Sequence, residues 1–123
     1  MRRIFLPTAV ALFGLAGAAQ AHPKLVSASP APNATVAKPA NVTLRFSEKL
    51  MPKFSGADLM MTGHGGTTHA PMNVGGTATV GSDGRTLIVT PKSPLAAGNY
   101  KLAWHVVSTD THRIAGNYAF AVK

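Results

Sequence analysis

The chain contains no cysteine, and only four acidic residues stand against twelve lysines and arginines. Without thiols there are no disulfides, so burial alone must hold the fold. Thiolate zinc sites and iron–sulfur clusters are excluded for the same reason. A membrane span needs roughly 20 consecutive apolar residues. The one apolar run, Ile4 to Ala18, is shorter than that. No segment carries the 3.6-residue periodicity of an amphipathic helix. The shortage of acids, rather than a wealth of bases, accounts for most of the formal charge of +8. Lysines and arginines are scattered singly from Lys24 to Lys123, with no cluster and no interleaved aromatics, so the chain does not read as a nucleic-acid binder. Scarcity makes each acid informative: Glu48, Asp58, Asp83 and Asp110 are the whole set.

What is present begins with a leader. Met1-Arg2-Arg3, the apolar run, and Ala19-Gln20-Ala21 form the basic, apolar and A-x-A parts of a secretory signal peptide. Residues 1–21 are expected to be removed, leaving 22–123 as one domain of 102 residues (123 minus 21) with no transmembrane span. Loss of Arg2 and Arg3 takes the formal charge from +8 to +6.

The mature chain reads as all-β. Val42, Leu44 and Phe46 alternate onto one face, as do Leu87 with Val89, then Tyr100, Leu102, Trp104 and Val106, then Tyr118, Phe120 and Val122. Lys24–Ala28, Ala57–Met61 and Thr77–Val80 complete about seven strands. Pro, Gly, Asn and Ser separate them, with a turn at Ser82-Asp83-Gly84. Seven strands in about 100 residues predict an immunoglobulin-like Greek-key sandwich without its disulfide, Trp104 serving as a core anchor. Gly63 to Gly76 reads as a long glycine-rich loop.

Cleavage after Ala21 makes His22 the first residue, with a free α-amine beside its imidazole. Pro23 lacks a backbone N–H, so the amide-nitrogen chelate of some free termini is blocked. Further ligands must come from the fold, and Ser108-Thr109-Asp110-Thr111-His112 supplies candidates. Asp110 and His112 are two apart, which in an extended chain puts both on one side. An amine, two imidazoles and a carboxylate suit Cu(II) or Ni(II), and copper stands higher in the affinity series. His105 alternates with Trp104 and is assigned to the outer face. Met60 to Met72 holds three of the mature chain's four methionines together with His64 and His69. Thioether and imidazole donors favour Cu(I). Alternation sends Met60 and Met61 to opposite faces, one of them inward.

The run His22-Pro23-Lys24-Leu25-Val26 with Ser29-Pro30 resembles the start of the CopC family of periplasmic copper-resistance proteins. So do Leu44-Arg45-Phe46-Ser47-Glu48, Phe54-Ser55-Gly56-Ala57, His69-Ala70-Pro71-Met72, Ala97-Gly98-Asn99-Tyr100 and Trp104 through His112. The resemblance implies a Greek-key sandwich that binds and carries copper without turnover, in the periplasm, as a monomer. It implies Cu(II) at His22, Asp110 and His112, and an inner-membrane copper transporter or other periplasmic copper proteins as partners. It also implies a Cu(I) site at Met61, His69 and Met72. His64 and Thr67 stand where methionine-rich members carry methionine, so at Met61, His64, His69 and Met72 only a weak Cu(I) site is expected. Two other classes fit parts of the pattern: a copper monooxygenase with an N-terminal histidine brace, and an immunoglobulin-like extracellular interaction module.

Overall fold

A computed structural model describes residues 22–123; the signal-peptide reading concerns residues 1–21, outside the described residues. Nine strands form two sheets. They are β1 (Leu25–Ser29), β2 (Thr35–Val36), β3 (Val42–Phe46), β4 (Gly56–His64), β5 (Thr67–Asn73), β6 (Gly76–Val80), β7 (Thr86–Pro91), β8 (Gly98–Val107) and β9 (Arg113–Val122). One sheet runs β1-β3-β7-β6 and the other β2-β9-β8-β4-β5. Every pairing is antiparallel except β2 with β9.

The alternating residues close the core. Val42, Leu44, Phe46, Leu87 and Val89 face Tyr100, Leu102, Trp104, Val106, Phe120 and Val122, all buried. Each such side chain contributes roughly 1.5–3 kcal/mol relative to exposure, opposed by the entropy of ordering the chain. Trp104 anchors the core as expected, its indole edge-on to Phe46 at 5.1 Å. Opposite it on β9 stands Gly116, where a Cβ would lie 2.5 Å from the indole Cζ2. The strand thus leaves its side chain out where the largest ring lies.

Two expectations are corrected. The segment Gly63 to Gly76 is not a long loop. It completes the β4–β5 hairpin, turns at Gly65 and Gly66, both at positive φ, and passes into β6. Glycine is needed at that turn because L side chains avoid positive φ. The reading missed β5 because it is an edge strand exposed along most of its length and interrupted by Pro71, so it has no buried face to produce alternation. The second concerns Asp110 and His112, which lie in the loop expected between two strands but in a turn, not with the same-side geometry of an extended chain. Thr111 there has φ 75°, a left-handed conformation that reverses the chain into β9.

Candidate metal centre

Residues 108–112 connect β8 to β9, whose register runs from Gly98↔Val122 to Val107↔Arg113. The turn closes through Thr111 N–H to Ser108 O (2.8 Å) and Ser108 N–H to His112 O (2.9 Å). A neighbouring strap holds it: Thr109 N–H donates to Lys49 O (2.9 Å) and Met51 N–H to Val107 O (2.7 Å). Ser108 is fully buried, and its hydroxyl donates to Asp110 Oδ1. His112 Nδ1 lies 2.8 Å from Asp110 Oδ2. The Ser108 hydroxyl, followed by the imidazole, holds the Asp110 carboxyl down to about 2, so it is an anion throughout the neutral range. A carboxylate only accepts, so Nδ1 of His112 carries the proton and Nε2 keeps the lone pair. In this turn Asp110 holds the His112 ring from its Nδ1 edge, and to ligate the same metal as His112 it would have to release that nitrogen.

His22 reaches this turn from the other sheet. Pro23 is fully buried, and Lys24 N–H donates to Ser47 Oγ at 2.9 Å while Ser47 N–H donates to Lys24 O at 2.9 Å. Ser47 Oγ also lies 3.5 Å from His22 O, and Arg85 Nη1 donates to Ser47 O at 3.0 Å. Held there, the His22 ring sits 4.7 Å from the His112 ring at 58°. The three residues expected to bind Cu(II) therefore meet at one end of the sandwich, in two pairs that share His112. Among the described residues, no three His, Cys, Asp or Glu side chains converge as a finished metal cluster. The remaining donor of the expected set, the His22 α-amine, exists only in a chain that begins at His22. Sequence reading assigned no role to Ser47 or Ser108. Serines of this kind carry no pattern of their own; their roles emerge only with the turn and the strand end they hold.

The methionine–histidine segment lies at the other end of β8, whose ten residues span about 30 Å at roughly 3.3 Å each. Met61 and Met72 are direct cross-strand partners, and the rings of His64 and His69 stand 5.5 Å apart. Met61 is the inward methionine: it pairs with Tyr100 and packs on the core, its Cε beside Gly98. Met72 is 62% exposed. The hairpin thus gathers all four of these residues. His105 is exposed on the outer face of β8, against Gly56, and belongs to neither group.

A CopC domain model matches residues 25–123. The chain is 52% identical over 103 residues to copper resistance protein C of Xanthomonas campestris pv. juglandis, covering 84% of this chain and 81% of that protein. It is 46% identical over 113 residues to copper resistance protein C of Escherichia coli, covering 91% and 90%. The crystal structure of PcoC, a methionine-rich copper resistance protein from Escherichia coli, superposes with a TM-score of 0.77 at 47% identity, covering 84% of this chain and all of that one. The structure of CopC from Methylosinus trichosporium OB3b gives a TM-score of 0.72 at 31% identity, covering 83% and 94%.

Proposed function

This chain belongs to the CopC family, and on that premise we propose that it is a periplasmic copper carrier for copper resistance or homeostasis. It holds Cu(II) through His22, Asp110 and His112 once residues 1–21 are removed, and passes the metal to an inner-membrane transporter or to other periplasmic copper proteins. Relatives named as copper resistance proteins support the copper role. The observation that carries the Cu(II) reading is the packing of the His22 ring against that of His112, whose Nδ1 is hydrogen-bonded to Asp110. Residues far apart in sequence are thereby held at one point with nitrogen and oxygen donors, which suits Cu(II). Asp110 is ionised in advance, so binding displaces no proton from it. A site of this kind stores and transfers metal; no catalytic step is assigned to it. Among the described residues, no helix is long and apolar enough to cross a membrane.

The test compares protein starting at His22 with protein carrying one extra glycine before it. The extension converts the chelating amine to an amide. Cu(II) affinity, measured by chelator competition, is expected to fall sharply in the extended form, with a change in the electron paramagnetic resonance spectrum. Equal affinities and spectra would refute the terminal chelate.

A further inference from the structure

We propose that the β4–β5 hairpin carries a separate metal site, built on the imidazoles of His64 and His69, that takes a borderline divalent cation of the Zn(II) class in preference to Cu(I). The hairpin lies at the opposite end of β8 from His22 and His112, so the proposal stands independently of the Cu(II) reading.

The geometry comes first. With a metal about 2.0–2.1 Å from each nitrogen and about 3.2 Å from each ring centre, two imidazoles at a tetrahedral angle sit about 5.2 Å apart. The His64 and His69 rings are 5.5 Å apart and tilted by 59°, so small side-chain rotations bring both onto one ion. Their backbones are held by the pairs His64↔Thr67 and Gly63↔Thr68, across a turn of two glycines. The ordering cost of bringing them together is met largely by the hairpin itself.

Protonation comes second. Nδ1 of His69 lies 2.8 Å from Ala70 O. A carbonyl accepts only, so Nδ1 is the protonated nitrogen and Nε2 presents its lone pair. A backbone carbonyl behind a ligating imidazole is a common orienting partner at metal sites.

The donor set decides the metal. Soft thioether sulfur is what selects Cu(I), whereas imidazole serves zinc and copper alike, so the choice turns on how much sulfur the hairpin offers. Thr67, directly opposite His64, offers a hydroxyl. Met61 has its terminal methyl tucked beside Gly98 and packs on the core. Met60, also on β4, is half-buried too, so among the described residues Met72 is the hairpin's exposed thioether. Two imidazoles and water therefore make the harder site, and the residues do not fit the Cu(I) site that the family resemblance implies for this segment.

The experiment uses protein starting at His22, alone and with Asp110→Ala and His112→Ala combined. Zinc chloride is titrated in while amide and imidazole resonances are followed. The expected result is saturable shifts at His64, His69 and residues 65–67 in both proteins. These shifts should be lost in His64→Ala and in His69→Ala, with amide dispersion elsewhere intact, and retained in Met72→Leu. A His64→Met variant should lose zinc and gain Cu(I), the latter read anaerobically against a colorimetric chelator. Zinc shifts confined to other residues, or hairpin shifts that survive either alanine variant, would overturn the proposal. So would parent protein that holds Cu(I) as tightly as His64→Met.

Discussion

Gly116→Ala should destabilise this protein although alanine is ordinarily the better strand residue. The added Cβ would lie 2.5 Å from Cζ2, 2.9 Å from Cε2 and 3.1 Å from Cη2 of Trp104. These are atoms of a rigid ring, not the end of a flexible chain. The indole has little room to retreat, because it is buried and packed edge-on with Phe46 at 5.1 Å. Inserting a methyl into a filled core costs about 1–3 kcal/mol, and replacing glycine within a strand returns about 0.5–1 kcal/mol. The two ranges leave a net loss of up to about 2.5 kcal/mol, centred near 1 kcal/mol. For a domain of this size each kcal/mol lowers Tm by roughly 4–8 °C. Urea denaturation followed by Trp104 fluorescence should show a lower midpoint with an unchanged slope, the sign of altered stability at constant exposed surface. The mechanism is tested by repeating the substitution in Trp104→Phe, followed by circular dichroism. A phenyl ring lacks the atoms that clash, so the cost of Gly116→Ala should vanish or reverse. An equal cost in both backgrounds would refute the steric argument, since a double-mutant cycle then finds no coupling between the two positions.

Tyr118→Phe should stabilise the protein by about 1 kcal/mol, because the Tyr118 hydroxyl is buried without a hydrogen-bond partner among the described residues. Burial also pushes that phenol up to about 12. Its contribution to stability is therefore complete below about pH 10 and lost as pH rises toward 12, and Tyr118→Phe should reduce this loss in alkaline unfolding curves. At the acid end the sign reverses. Asp110 falls from an unfolded value near 3.9 to about 2 in the fold, so its contribution is present above about pH 4 and lost as pH drops to 2. Asp110→Asn should flatten that part of the acid unfolding profile of the metal-free protein. Between about pH 8 and 5, Cu(II) affinity should decline through proton competition at the amine and imidazoles. Chelator competition at several pH values should show Asp110→Asn lowering affinity throughout that range without changing the slope, while His105→Ala leaves it unaltered.

The core was legible because burial on one side of a strand writes itself as alternation. Val42–Phe46, Thr86–Thr90 and the Tyr100 and Tyr118 segments all appear as the strands they were read to be. β2 left no comparable trace. It is two residues long, and its role is set by where β9 passes. Likewise β5 is positioned by pairing with β4, not by an apolar face of its own, so a hairpin passed for a loop.

The candidate site divides along the same line. Residue types, with the leader pattern before His22, made His22, Asp110 and His112 the candidates, because nitrogen and oxygen donors are recognisable wherever they stand. How they meet was not encoded in spacing. Asp110 and His112 face each other through a turn with Thr111 in the left-handed region, not through the same-side geometry of an extended chain. A buried serine sets that turn's charge. Ser108 follows β8 directly, and its hydroxyl donates to Asp110 Oδ1, with His112 O a second, longer acceptor at 3.3 Å. Removing it would leave the carboxylate to His112 and water, with the turn less fixed relative to the core. Ser47 does the corresponding work for the segment before β1, accepting from Lys24 close to His22. Each serine belongs to the end of a core strand: Ser47 follows Phe46, and Ser108 follows Val107. The link from packing to the proposed site therefore runs through these two residues, which tie exposed His22 and Asp110 and half-buried His112 to the position of a rigid sandwich.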